Sequence, residues 1–230
     1  MSATITCFLP CRKGSERVPR KNIKPFCNMQ YGLIEIKLGQ LIEAKRVDRI
    51  VLSTNDTEIL DYANTLHSPK LLTHHRAEEL SSSSTSTDQL VGHAQELIPE
   101  GNVLWTHVTS PFINANDYDE MIECYFRELA NGYDSLMTST PIYGFLWQNE
   151  KPLNYNRAIE KWPRTQTLVP VHEVNSGAFI APSTMYRELN DRIGVRPYLY
   201  TMNKLKSHDI DWQEDFIIAE TLLEKGLVEV

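Results

Sequence analysis

Short apolar runs alternate along this chain with longer stretches in which apolar residues recur every three to four positions, the pattern of strands separated by helices. The first run, residues 5–9, is apolar throughout except for Thr6 and reads as a strand buried in the middle of a sheet. Leu33, Ile36, Leu41 and Ala44 keep helical spacing, and Lys45 and Arg46 supply the basic end that a helix C-terminus favours. Residues 49–54 form a second strand, after which Asn55 and Asp56 read as the N-cap region of a helix through Leu66, with Glu58 placed to complete a capping box on Asn55. Residues 70–75 make a third strand, and Ser86-Thr87-Asp88-Gln89 carries the capping-box pattern of the next helix. Residues 102–108 read as a central strand closed by the turn Thr109-Ser110-Pro111, with a helix starting around 114–116. Further strands are expected at 134–140, 178–181 and 197–200, with a helix over 182–189.

This alternation predicts an α/β fold with a doubly wound, mostly parallel, Rossmann-like sheet and helices on both faces, in a single domain over residues 1–230. One segment breaks the pattern. Residues 141–174 are rich in Pro, Trp, Tyr and Asn without helical period, and over thirty irregular residues inside a compact domain point to a functional insertion or an interface.

Charge narrows the partners. With 30 acidic and 23 basic residues the chain carries a formal charge of −7, which repels a nucleic-acid backbone, so no nucleic acid is expected. No apolar run approaches the length of a membrane span and no charged-then-apolar leader is present, which argues against membrane insertion and secretion. The four cysteines, Cys7, Cys11, Cys27 and Cys124, show neither zinc nor redox spacing, so reduced thiols in a cytoplasmic protein are expected.

Against that negative balance, the loop after the first strand is strongly basic: Arg12, Lys13, Arg17, Arg20 and Lys21 lie within ten residues. Gly14 can adopt backbone angles closed to other residues, Ser15 offers a hydroxyl, and Pro10 and Pro19 restrict the loop's shape. A loop at the carboxyl edge of an open α/β sheet is where such folds bind ligands, and a polyanion suits this one. Neither the Walker loop nor the dinucleotide glycine fingerprint is present. Near the other end, His208-Asp209-Ile210-Asp211 would, if extended, project both aspartates from one face about 7 Å apart, within reach of one hard cation. Asp211 can also cap the last helix with Glu214 as its partner. Asp117 and Asp119 share this spacing, but in the first turn of a helix they diverge and favour the macrodipole, so they are not taken as ligands.

Residues 10–22, Pro-Cys-Arg-Lys-Gly-Ser-Glu-Arg-Val-Pro-Arg-Lys-Asn, resemble the signature Pro-Ala-Arg-x-Gly-Ser-Lys-x-x-Pro-x-Lys-Asn of the cytidylyltransferases that activate sialic acid and related nonulosonic acids. Cys11 replaces alanine, and Glu16 replaces a lysine beside the triphosphate. The resemblance covers essentially the whole chain and implies the reaction of CTP with a nonulosonic acid to give CMP-sugar and pyrophosphate. It implies that Arg12, Gly14, Ser15, Arg17, Lys21, Asn22, Arg76 and Ser83 bind nucleotide and that Asp209 and Asp211 hold Mg²⁺, with Arg12, Lys21 and the two aspartates carrying catalysis. Arg76 could instead form a surface salt bridge to Glu79. His107, Thr109, Ser110, Arg164, Gln166 and Asn175 are the implied sugar-binding positions. His107 stands where glutamine is usual, and Thr167 where aspartate is usual. Residues 141–176 correspond to an arm that crosses a homodimer to the neighbour's sugar pocket. Three other activities stay open: activation of an eight-carbon keto-sugar acid, glycosyl transfer, and nucleotide binding without turnover.

Overall fold

The computed structural model describes residues 4–230. Nine strands and six helices follow in the order β1 (Ile5–Pro10), α1 (Gly32–Glu43), β2 (Arg49–Thr54), α2 (Thr57–Thr65), β3 (Leu71–His75), α3 (Thr87–Leu97), β4 (Asn102–Trp105), α4 (Ala115–Ala130), β5 (Ser135–Ile142), β6 (Trp147–Gln148), β7 (Lys151–Pro152), β8 (Val171–Pro182), α5 (Ser183–Glu188), β9 (Pro197–Thr201) and α6 (Gln213–Glu224). Seven strands form one sheet in the order β3-β2-β1-β4-β8-β5-β9, and β6 and β7 make a small hairpin apart from it. All neighbours in the large sheet run parallel except β8, which is antiparallel to both β4 and β5. The fold expected from the alternation is therefore the one observed.

The sheet is covered on both faces because side chains of a strand alternate between them. Ile5, Cys7 and Leu9 of β1 enter one core with Leu33, Ile59, Tyr118 and Phe216 from α1, α2, α4 and α6. Phe8 turns the other way and packs with Val91 and Ala94 of α3, Tyr186 of α5, and Trp105 and Phe179. Gly32 starts α1 at φ +60°, where a Cβ would lie 1.9 Å from the Lys24 carbonyl oxygen, so the position excludes every side chain.

Four local expectations need correction. Asn55 does not cap α2: its Oδ1 accepts from the Lys13 amide at 2.8 Å, and Asp56 caps the helix through Glu58 N–H at 3.1 Å. β4 ends at Trp105 rather than at 108, because beyond the Trp105–Phe179 pair the Thr106 hydroxyl takes the Gly177 carbonyl in place of a ladder bond. Residues 141–174 are not irregular throughout, since β5 runs on to Ile142 and pairs there with the start of β8 at Val171. Asp211 does not cap α6 with Glu214, because Asp215 Oδ2 takes both the Asp211 and Trp212 amides, at 3.0 and 2.8 Å.

The chain leaves β1 towards β2 and β3 on one side, then returns to place β4 on the other. The carboxyl ends of β1 and β4 thus flank the point where strand order reverses, the usual crevice of open α/β sheets.

Candidate active site

The basic loop that follows β1 is closed on itself. Asn22 Nδ2 donates to the Arg12 carbonyl at 3.1 Å, Gly14 turns at φ +81°, and buried Val18 and Ile23 pin the loop to the core. This fixes the directions of the cations. Lys21 is buried and donates to the Ile210 carbonyl at 2.6 Å and to Asp211 Oδ1 at 3.4 Å. Arg17 Nη2 reaches the same Asp211 oxygen at 2.9 Å, across 194 residues of sequence. Arg20 points elsewhere, holding both Glu58 oxygens at 2.6 Å on the surface.

The acidic pair is held by backbone. Ile210 is fully buried, and its N–H donates to the Thr109 carbonyl at 2.9 Å, so the segment before α6 is tied to the turn after β4. Asp211 faces the basic loop. Asp209 Oδ1 is buried without a hydrogen-bond partner, an arrangement that awaits a donor or a cation.

Two cavities have linings that are hydrogen-bonded to each other here, through His107 of one and the Ser176 carbonyl of the other. One of about 370 Å³ is lined by Arg12, Ser15, Glu16, Arg17, Lys21 and Asn22 of the loop together with Ser83, His107 and Thr109. The other, about 300 Å³, is lined by Thr140, Glu173, Asn175, Ser176, Lys204, Ser207 and Asp209, among others. His107 joins them. Trp105 Nε1–H lies 3.1 Å from His107 Nε2 and can only donate, so Nε2 is the acceptor and Nδ1 carries the proton towards the Ser176 carbonyl at 3.1 Å. Burial, then nearby Arg192, lowers the His107 pKa, which keeps this ring neutral.

Ten of the residues singled out from sequence, Arg12, Ser15, Arg17, Lys21, Asn22, Ser83, His107, Thr109, Asn175 and Asp209, therefore line one cavity or the other. Gly14 lies in a small recess behind the loop, and Asp211 borders the first cavity through its bonds to Arg17 and Lys21. Ser110 is buried beneath, and its carbonyl accepts from Lys37. Arg76 forms no surface salt bridge to Glu79: it is 2 % exposed and donates to the Cys11 carbonyl at 3.0 Å and to Ser81 Oγ at 3.1 Å. Arg164 and Gln166 lie at an exposed 3₁₀ turn and line neither cavity.

Sequence reasoning passed over several residues. Lys37 of α1 is fully buried, its Nζ 2.8 Å from the Ser110 carbonyl and 2.7 Å from Tyr118 Oη, and burial pushes its pKa down to about 7. Nothing in a helix of mixed composition marks such a lysine. Lys204 and Glu173 enter the second cavity from segments with no motif. Asn55, read as a cap, instead orients the loop through Lys13.

A mostly parallel sheet whose reversal point gathers a basic loop beside carboxylates has the ligand crevice of an open α/β protein, with cations suited to an anion. The family model described as cytidylyltransferase matches residues 6–225, and the chain belongs to that family. The pseudaminic acid cytidylyltransferase of Campylobacter jejuni subsp. jejuni is 26% identical over 226 residues, covering 94% of each chain. The N-acylneuraminate cytidylyltransferase of Escherichia coli O18:K1:H7 is 21% identical over 238 residues, covering 98% of this chain and 53% of its own. Among solved structures, a CMP:2-keto-3-deoxy-manno-octonic acid synthetase complexed with CTP superposes with a TM-score of 0.67 at 13% identity, over 97% of this chain and 99% of that one. A 4-diphosphocytidyl-2C-methyl-D-erythritol synthase from Anaerococcus prevotii gives 0.65 at 15% identity, over 96% of both chains.

Proposed function

We propose that this protein joins CTP to a nonulosonic acid, sialic acid or a related keto-sugar acid, releasing CMP-sugar and pyrophosphate. The observation that carries this reading is the meeting of Arg17 and Lys21, which line the first cavity, with Asp211 from the segment before α6. The family membership and the names of its relatives point the same way. The first cavity takes CTP, its phosphates against Arg12, Ser15, Arg17 and Lys21, with Asn22 and Ser83 as further polar contacts. The second takes the sugar acid beside Asn175 and Asp209, with its anomeric hydroxyl turned towards the first.

In that arrangement the hydroxyl oxygen attacks the α-phosphorus in line and the α–β bridging oxygen leaves on pyrophosphate, so cations must follow the negative charge outward. Arg12 and Lys21, which line the first cavity, are the cations this reading assigns to that charge. His107 has both nitrogens engaged, so it offers the reactants a neutral ring rather than a base. Asp209 and Asp211 suit Mg²⁺: both are hard oxygen donors, Asp209 Oδ1 is buried and unpartnered, and Mg²⁺ is commonly held by one or two carboxylates with substrate phosphates. Among the described residues no cluster of three or more His, Cys, Asp or Glu side chains that could hold a metal ion occurs. When bound, the ion would add charge compensation at the phosphates.

A homodimer is part of the proposal. Tyr143, Trp147, Leu153, Ile159, Trp162 and Val169 are exposed on the arm of residues 141–176, a density of apolar surface that suits burial against a second copy. Arg164 and Gln166 sit on that arm and would serve the neighbour's sugar cavity. Cytoplasmic placement is supported by the four free thiols. No helix of the described residues is long and apolar enough to cross a membrane.

The test is incubation with CTP, Mg²⁺ and a panel of nonulosonic acids, with CMP-sugar read by mass spectrometry and pyrophosphate in parallel. Formation of both from one panel member is the expected result. The structural likeness to the octonic acid synthetase favours an eight-carbon keto-sugar acid as the second substrate to try. Free CMP without pyrophosphate, from a nucleotide-sugar, would replace this reading with glycosyl transfer.

A further inference from the structure

Trp212 precedes α6 and is 56 % exposed, a large indole in contact with Arg17 of the nucleotide cavity. The central carbon of the Arg17 guanidinium lies over its ring, 4.9 Å from the ring centroid. The edge of that guanidinium donates to Asp211 Oδ1 at 2.9 Å, and Lys21 shares the same oxygen at 3.4 Å. Arg17 also lines the nucleotide cavity, directly after Glu16, whose carboxylate stands there in place of the lysine of the resembled pattern. The two contacts do not compete. A cation–π contact draws the charge to the ring face and needs no hydrogen-bond acceptor, whereas the bond to Asp211 occupies an N–H donor.

We propose that Trp212 is a positioning residue for CTP, holding the Arg17 guanidinium at the cavity mouth so that its N–H edge passes from Asp211 to the phosphates. This rests on the function proposed above. Without the indole, Arg17 is a flexible exposed side chain that loses rotamer freedom each time it meets the nucleotide. With it, the cation that compensates Glu16 is already in place. The bond to Asp211 is the state before CTP, and the cation–π contact persists through the exchange.

The experiment is calorimetric titration with CTP and Mg²⁺, with steady-state kinetics alongside, on wild type, W212A, W212L, W212F, R17A and R17A/W212A. A cation–π contact at a partly exposed site corresponds to a change of about two- to fivefold in affinity. W212A and W212L, which lack the π face with and without the bulk, should weaken CTP binding by that factor and raise KM for CTP more than they lower kcat. W212F should stay within about twofold of wild type, since phenylalanine keeps a π face. In the R17A background W212A should add nothing, because contacting residues couple. Additive losses in the double variant, or a loss for W212F equal to that for W212L, would overturn the role of Trp212 and leave the proposed reaction standing. Wild-type protein that binds no CTP would overturn both.

Discussion

A side chain's burial decides its work at this site more than its type does. Arg76 and Asp211 make the contrast. Arg76 is 2 % exposed and its two hydrogen bonds tie β3's end to the Cys11 carbonyl and Ser81, so Arg76→Ala leaves an unsatisfied carbonyl and a void. Its expected effect is a loss of about 2–5 kcal/mol in urea unfolding, the range of large-to-small core changes. Asp211 is 45 % exposed at its side chain, so Asp211→Ala should leave the unfolding midpoint nearly unchanged while turnover falls by more than about a hundredfold. Equal turnover for the two variants, compared at equal folded fraction, would reverse the roles assigned to them. Lys37 adds a pH dependence. Its pKa is lowered from 10.5 to about 7 by burial, so between those values the unfolded chain binds a proton that the native one does not. Stability then rises with pH across that window, by up to about 1.4 kcal/mol per unit from this residue, and below the window both states are charged and the contribution is constant. Lys37→Met should flatten the slope of unfolding free energy between pH 7.5 and 9.5 relative to wild type, about a two-unit span inside that window. An unchanged slope would place the charge of Lys37 elsewhere.

Elements carry the site by their ends. The turn after β4 receives Ile210 N–H, the last helix begins two residues beyond Asp211, and one carboxylate, Asp215, holds the amides of both Asp211 and Trp212. Asp215→Ala should therefore lower stability by about 1 kcal/mol, the usual effect of losing an N-cap acceptor, and raise the Mg²⁺ concentration needed for half-maximal activity because Asp211 loses its backbone anchor. Activity that recovers fully without added Mg²⁺ would separate the cap from the metal. The strands and helices that frame this arrangement were legible in the sequence because β1 is a nearly continuous apolar run, β2 centres on Ile50-Val51-Leu52, and Leu33, Ile36 and Leu41 keep helical spacing along α1. What escaped was set by tertiary partners. Asn55 and Asp56 are both capping residues by type, and only the Lys13 amide, brought from another loop, decides which one caps. The first half of β8 carries polar, partly exposed residues, so its pairing with the end of β5 has no hydrophobic alternation to announce it. The basic loop and the acidic pair were visible as motifs, but the bond from Ile210 to Thr109 that brings them together is backbone to backbone and leaves no mark on either sequence.

At the scale of the whole molecule, the question is why Arg164 and Gln166 stand outside both cavities while the arm that bears them exposes so much aromatic and aliphatic surface. The homodimer proposed here answers both points with one contact, since an arm seated on a second copy buries its apolar residues and carries Arg164 to that copy's sugar carboxylate. In that proposal each site would take Asp211 from one subunit and Arg164 from the other. That division can be measured by mixing two inactive variants. Asp211→Ala and Arg164→Ala proteins, unfolded together and refolded at equal amounts, form about half heterodimers if pairing is random. Each heterodimer has one site with both substitutions and one with neither, so the mixture should recover about a quarter of wild-type turnover, whereas each variant refolded alone stays inactive. Mass from light scattering should report twice the chain's 26.5 kDa for all samples. If Arg164 served its own subunit's cavity, every heterodimer would hold two singly damaged sites, and mixing would restore nothing.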